Sequence, residues 1–212
     1  MSKRSELVEM RAKLDEAITY GGQREAVKLA RQGLKEAEAR GLLGEIEYFK
    51  GQLELLNDNF DLAIKHFDAA IKHNPNDGAA YNDRALCMVE LGIIDEAFFY
   101  FDKGIEVEPD YATIYHNKGW LLNNIGRHSE AIEYFKKALR LESERPVTYE
   151  NMAEALVSLS DYRGAQDAYR NVLELLKPGY CRDIRKQVMA KIKFIENKLC
   201  GSKRKKAHKE YK

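Results

Sequence analysis

Apolar residues recur at three- and four-residue intervals along much of the chain, which is the pattern of amphipathic helices. The clearest stretch is residues 112–145, which predicts two such helices joined by a turn at Ile125-Gly126-Arg127. The same pattern returns every 34 residues, as shown by the second-helix alanines Ala63, Ala97, Ala131 and Ala165. A constant period of this length is typical of stacked helical repeats.

Small and large residues occupy fixed positions within each repeat. One first-helix position is always small, and one second-helix position is always a large aromatic residue: Gly51, Ala85, Gly119 and Ala153 for the first, Phe67, Phe101, Phe135 and Tyr169 for the second. A small residue opposite a large one lets two helices pack closely without leaving a void. We therefore expect Tyr115, Ala131 and Phe135 to be buried.

The period divides the chain into helical units. It predicts a degenerate N-terminal pair over residues 1–43, with helices near 5–20 and 23–40, and four regular pairs at 44–77, 78–111, 112–145 and 146–179. An apolar stripe from Ile184 to Leu199 predicts a capping helix within residues 180–200, because an open-ended stack needs a last helix with one polar face. The polar, basic residues 201–212 are predicted to form a disordered tail.

Two of these units carry the residues of a known repeat. One contains Tyr81, Ala85, Gly92, Ala97, Phe101 and Pro109, and the next contains Tyr115, Gly119, Gly126, Ala131 and Phe135 at the same spacing. In these residues the chain resembles the tetratricopeptide repeat family. The resemblance implies an all-α fold, a right-handed superhelical solenoid of antiparallel helix pairs with a C-terminal capping helix. It also implies that the first helix of each pair lines a concave groove.

The groove implied by this resemblance is the candidate peptide-binding site. Equivalent positions of successive repeats form the columns of this groove, and they carry aromatic, acidic and amide side chains. Amides can donate hydrogen bonds to a peptide backbone of any sequence and accept hydrogen bonds from it. Trp120, the only tryptophan, is the candidate hot spot, and burial between neighbouring first helices is the alternative. The acids of the groove should favour a neutral or basic ligand. The predicted groove residues are Tyr48, Phe49, Gln52, Asn82, Asp83, Leu86, Glu90, His116, Asn117, Trp120, Asn124, Glu150, Asn151 and Glu154.

The composition indicates a protein without catalytic chemistry. No phosphate-binding glycine loop, zinc-protease motif or nucleophile elbow occurs, and His66 and His73 have no evident third metal ligand. We therefore expect no enzymatic activity, no metal and no cofactor. The N-terminus lacks the apolar stretch of a signal peptide, no apolar run is long enough for a membrane span, and the three cysteines are widely spaced. These features predict a cytoplasmic protein with reduced thiols.

Charge is unevenly distributed, although the net charge of the chain is +1. Residues 177–212 contain 13 Lys and Arg against three acids, a charge of +10, and the remainder therefore carries −9. The preferred interpretation is an adaptor that binds a protein or peptide partner of unknown identity. The alternative is a nucleic-acid- or ribosome-associated factor in which the basic end, including Lys203, Arg204, Lys205 and Lys206, contacts phosphates. A solubilising role for this end is also open.

Phe99 departs from the repeat pattern. The other units carry Lys65, Glu133 and Asp167 at this position, so the column is normally solvated. An aromatic residue here predicts either a second contact surface on the outer face, suited to self-association, or a single exposed ring without a role.

Overall fold

The computed structural model describes residues 3–176 and 182–210, and every regular element within them is helical. The predicted all-α class is confirmed. A π-helical turn at Ala17–Gly21 leads from the first helix towards the second. The helices are α1 (Lys3–Glu16), α2 (Gln23–Arg40), α3 (Leu43–Leu56), α4 (Phe60–His73), α5 (Gly78–Glu90), α6 (Ile94–Val107), α7 (Ala112–Asn124), α8 (His128–Leu141), α9 (Pro146–Ser158), α10 (Tyr162–Leu175) and α11 (Arg182–Glu210).

The turn inside each regular pair has one left-handed residue. These residues stand 34 positions apart, at Asp58, Gly92, Gly126 and Ser160, and their φ angles are 60°, 75°, 83° and 61°. After each of them, a backbone N–H bonds to a carbonyl five residues earlier, as in Arg127 to Leu122 at 2.8 Å. This is the bond that closes a Schellman turn and satisfies a carbonyl at the helix end. Glycine adopts the conformation without strain, whereas Asp58 and Ser160 adopt it despite a Cβ.

The chain divides into two compact units, residues 1–114 and 115–212. In the first unit, each helix from α2 to α6 packs against the helix that precedes it in the chain. A Cβ added to Gly51 would lie 2.6 Å from the ring of Phe67, so the missing side chain is what lets α3 and α4 approach. The core of this unit includes the fully buried Phe49 and Phe67.

The second unit contains the same packing between small and aromatic residues. Tyr115, Ala131 and Phe135 are buried, as the repeat pattern predicts. A Cβ on Gly119 would lie 2.9 Å from the ring of Phe135. The helices α9, α10 and α11 enclose a second core cluster, to which α11 contributes the buried Val188 and Ile195. The apolar stripe predicted for the capping helix therefore faces this core from Val188 to Leu199, whereas Ile184 at its start is exposed.

The end of α11 differs from the sequence prediction. Residues 201–212 are predicted to form a disordered tail, but the backbone of residues 201–210 continues as helix to Glu210. Lysine, arginine, alanine and glutamate are strong helix formers, and extending an existing helix avoids a new nucleation step. Residues 177–181 and 211–212 lie outside the described residues. Among the helices that the structure describes, none combines the length and apolarity needed to cross a bilayer.

Candidate protein-binding surfaces

Five of the predicted groove residues are buried in the first unit. Tyr48, Phe49, Gln52, Asn82 and Asp83 are each at most 6% exposed, so they cannot present side chains to a ligand as the sequence analysis expects. Phe49 belongs to the core. The ring of Tyr48 lies against Phe49 and Phe67, with ring centroids 5.5 and 6.0 Å away. Residue spacing gives the angular position of a side chain on its helix, but here neighbouring side chains cover that position.

The four polar members of this group form a buried hydrogen-bond network. Gln52 Nε2 donates to Tyr48 Oη at 3.0 Å and to the carboxylate of Asp83, and Asn82 Nδ2 donates to Asp83 Oδ1 at 2.8 Å. Burial, followed by the nearby charge of Asp15, raises the pKa of Asp83 to about 7. The network therefore links α3 to α5 and contains a carboxyl group that changes charge near neutral pH.

This carboxyl group predicts a specific dependence of stability on pH. Its folded-state pKa lies above the ordinary value of about 3.9, so between these pH values the folded state binds more protons than the unfolded state. The free energy of unfolding should therefore fall as the pH rises from about 4 to about 7. Asp83→Asn should remove this part of the fall. The measurement is the urea midpoint of both proteins across that range.

The control for this prediction is Glu90→Gln, which changes an exposed acid on the same helix. Its profile should run parallel to that of the wild type. A profile for Asp83→Asn that also runs parallel to the wild type contradicts the assigned titration, whatever the absolute stability of the variant.

Arg11 of α1 covers the buried network. Its Nη1 and Nη2 donate to the two carboxylate oxygens of Asp77 at 2.9 and 2.8 Å, and its Nε donates to Glu45 at 3.0 Å. The guanidinium lies 3.6 Å from the centroid of the Tyr48 ring. Burial disfavours the charge of Arg11, but Asp77, Tyr48 and Glu45 together raise its pKa above the ordinary value. The sequence analysis did not predict this ion pair. A signal was present, because Arg11 shares one helical stripe with the buried Leu7 and Leu14, and a charge in such a position needs an oppositely charged partner.

His116 is the predicted groove residue that is buried in the second unit. Its Nδ1 lies 2.9 Å from Thr148 Oγ1, and its Nε2 lies 3.5 Å from Asn151 Nδ2. Burial, together with the charge of Arg145, lowers the pKa of His116 to about 3, so the ring is neutral at physiological pH. His116 is therefore a buried contact between α7 and α9, and its side chain is not accessible to a ligand.

The remaining predicted groove residues are accessible. In the second unit, four of them are half-buried and two are exposed: Asn117, Trp120, Glu150 and Asn151, then Asn124 and Glu154. In the first unit, Leu86 is half-buried and Glu90 is exposed. Lys191 of α11 donates to both Glu150 and Glu154 at 2.8 Å. Burial opposes the charge of Lys191, but the two glutamates raise its pKa above the ordinary value. Two of the acids expected to select a basic ligand are thus compensated within the chain.

Two further contact sites predicted from the sequence, Phe99 and the basic residues 203–206, are not among the groove residues. Phe99 is 53% exposed on α6, and its ring makes an edge contact with Tyr100 at 5.1 Å between centroids. The backbone of Lys203, Arg204, Lys205 and Lys206 belongs to α11, but their side chains lie outside the described residues. Within residues 3–176 and 182–210, the described side chains form no group of three or more potential metal ligands.

Helix pairs repeated every 34 residues define a helical-repeat protein. Two tetratricopeptide repeat family models match the chain, over residues 50–104 and 112–145. The chain therefore contains tetratricopeptide repeats over these residues. These repeats support a protein-interaction scaffold.

Solved structures share the fold at low sequence identity. A thermophilic tetratricopeptide repeat protein of Thermus thermophilus, TTC0263, superposes with a TM-score of 0.68 at 17% identity, covering 89% of this chain and 98% of that one. Residues from 41 to the end of MamA from Desulfovibrio magneticus RS-1 give a TM-score of 0.55 at 20% identity, covering 82% and 96%. No curated protein sequence matches the chain. These likenesses show the fold alone.

Proposed function

We propose that the chain is a non-enzymatic adaptor that holds an extended or helical segment of a partner protein against the first-helix surface of the second unit. The observation that carries this proposal is the position of Trp120, which is half-buried on α7 between the half-buried Asn117 and the exposed Asn124. A large ring that is partly accessible beside amide groups suits a binding hot spot, because the ring supplies apolar area and the amides pair with a peptide backbone.

The surface around Trp120 continues onto α9 and α11. Asn151 on α9 is held towards α7 by its contact with His116, which stands one helical turn before Trp120. Glu150 and Glu154 follow on α9 and are bridged to α11 by Lys191. Beyond this bridge, a cavity of about 330 Å³ is lined by Val157, Tyr169, Ala190, Lys191, Phe194 and Ile195. Amides at one end and an apolar cavity at the other suit a segment with alternating polar and apolar side chains.

Trp120→Ala tests this proposal in the full-length protein. Peptides enriched from a random display library on the wild type are labelled, and their affinities for both proteins are measured by fluorescence anisotropy. Loss of the ring should weaken binding by about 30-fold, the equivalent of about 2 kcal/mol. The helical content measured by circular dichroism should not change.

Phe99→Ala provides the matched control, because it removes an exposed aromatic ring from α6 in the other unit. Peptide affinity should be the same as in the wild type. Equal affinity of the wild type and Trp120→Ala would overturn the proposal, and unfolding of Trp120→Ala would place the ring in the core.

The second candidate is nucleic-acid binding through α11. Arg185, Lys186, Lys193 and Lys198 are exposed on this helix, and lysine and arginine at a surface bind phosphates without sequence preference. A salt titration on single-stranded nucleic acid with and without residues 201–212 tests it. Steeply salt-dependent binding that is lost on truncation supports this candidate, and no binding by either protein removes it.

A further inference from the structure

One stripe of α11 is exposed, basic and partly apolar. Lys186, Met189 and Lys193 follow one another at three- and four-residue spacing, so they lie on one side of the helix. All three are exposed, and Met189 is 57% exposed, whereas Val188 and Ile195 on another side are buried against the core. The capping function of α11 therefore uses one side of the helix and leaves this second side available.

The first unit contains a cavity of complementary character. It has a volume of about 1300 Å³, and it is lined by residues of α1 to α5 and by the segments that precede α3, α5 and α7. Small-molecule pockets usually measure about 300–1,000 Å³. This cavity is larger than that range, so it can accommodate side chains of a polypeptide segment. Its rim includes the exposed apolar side chains Val8, Leu42 and Leu43, at 63%, 39% and 58% exposure.

The cavity has an excess of negative charge. Four carboxylates line it against two guanidinium groups: Asp15, Glu45, Asp77 and Glu108 against Arg11 and Arg40. Arg11 is shared between Glu45 and Asp77, so one guanidinium faces two carboxylates. Burial and then the charges of Asp77 and Asp110 raise the pKa of Glu108, as expected where carboxylates crowd together.

We propose that this cavity binds the Lys186, Met189 and Lys193 stripe of α11 from a second copy of the chain. The two surfaces are complementary in sign, since the C-terminal 36 residues carry +10 and the rest of the chain carries −9. The apolar rim provides contact area for Met189. Lys186, Met189 and Lys193 do not line the cavity that ends the Trp120 surface, so the self-association experiments and the Trp120→Ala experiment can fail separately.

A second copy fits the cavity better than a nucleic acid does. The carboxylates that line the cavity repel phosphates but attract lysines. Contact between the cavity of one copy and α11 of the next is head-to-tail, so assembly should grow with protein concentration. Because the contact is electrostatic and partly exposed, added salt should weaken it.

Sedimentation velocity on the nuclease-treated full-length protein tests the proposal. Over about a hundredfold range of protein concentration, the weight-average mass should rise in about 0.05 M salt and fall back towards the monomer in about 0.5 M salt. A protein that remains monomeric throughout the low-salt series overturns the proposal. Assembly that occurs only in untreated samples also overturns it, because nucleic acid then bridges the copies.

Two double variants test the two sides of the contact separately. Lys186→Glu with Lys193→Glu reverses the charge of the α11 stripe, and Val8→Lys with Leu43→Lys places positive charge on the rim of the cavity. All four positions are exposed, so both variants should fold. Each should weaken self-association by about tenfold or more. Self-association that neither variant weakens overturns the proposal.

A matched control and a mixing experiment complete the test. Lys136→Glu with Arg140→Glu makes the same charge change at exposed positions of α8 and should assemble like the wild type. When the two defective variants are mixed, one intact α11 stripe meets one intact cavity, so a complex with one copy of each should form. Absence of that complex overturns the head-to-tail assignment.

Discussion

Replacing Arg11 by alanine is expected to lower the free energy of unfolding by about 3 kcal/mol. The side chain is 16% exposed and binds both carboxylate oxygens of Asp77, which is 5% exposed. Removing the guanidinium leaves a buried carboxylate without its counterion, which is the costly way to break a buried ion pair. The variant also loses the hydrogen bond to Glu45 and the contact over the Tyr48 ring.

Urea unfolding of Arg11→Ala, Asp77→Asn and the double variant measures this effect. The double variant should lose clearly less than the sum of the two single variants, because each single change already removes the shared interaction. Lys13→Ala is the control on the same helix: its ion pair with Glu9 is more than half exposed, and its removal should cost less than about 1 kcal/mol. Strict additivity of the two single variants contradicts the predicted pairing.

Replacing Phe135 by alanine is expected to cost about 3–5 kcal/mol of unfolding free energy. The ring is fully buried in the second unit, against Gly119 on α7 and 5.9 Å from the ring of His116. Truncation removes the transfer free energy of the ring and leaves a cavity that rigid helices fill incompletely. Neighbouring side chains are held in place by the repeat, so relaxation should recover little of the loss.

Thermal and urea unfolding of Phe135→Ala, compared with Phe99→Ala, isolates the contribution of burial. Both variants remove a phenylalanine ring from the second helix of a repeat, but Phe99 is 53% exposed. Its removal should change stability by no more than about 0.5 kcal/mol. Equal losses in the two variants contradict the assigned repeat register.

The repeat period predicts a large part of the fold because it records packing between neighbouring helices. The small residue at Gly119 and the ring at Phe135 are close in space because the two helices of one pair must touch, and both positions can be recognised from their spacing. The left-handed turns at Asp58 and Ser160 are harder to recognise, since neither residue is the glycine that usually marks such a turn.

The candidate site was only partly predictable. Trp120, Asn117 and Asn151 are accessible on the first helices, which agrees with the columns assigned from the sequence. Gln52 occupies the column of Trp120, and Asp83 occupies the column of Asn117 and Asn151, but both are buried. The two bond to each other, and Arg11 lies over the ring of Tyr48 beside them. These partners come from other helices, and their approach depends on side-chain length and charge that a repeat pattern does not contain.

The helices, their pairing and the small-to-large contacts within each pair could be predicted from the amino-acid sequence alone, because they depend on residues at fixed short separations. Which polar groove residues remain accessible depends on how the helices pack against one another. Asp83 titrates near neutral pH because it is buried near Asp15, and Glu150 and Glu154 are compensated because Lys191 reaches them from α11. Burial and electrostatic pairing depend on distances between residues far apart in the chain, and those distances exist only once the helices have packed.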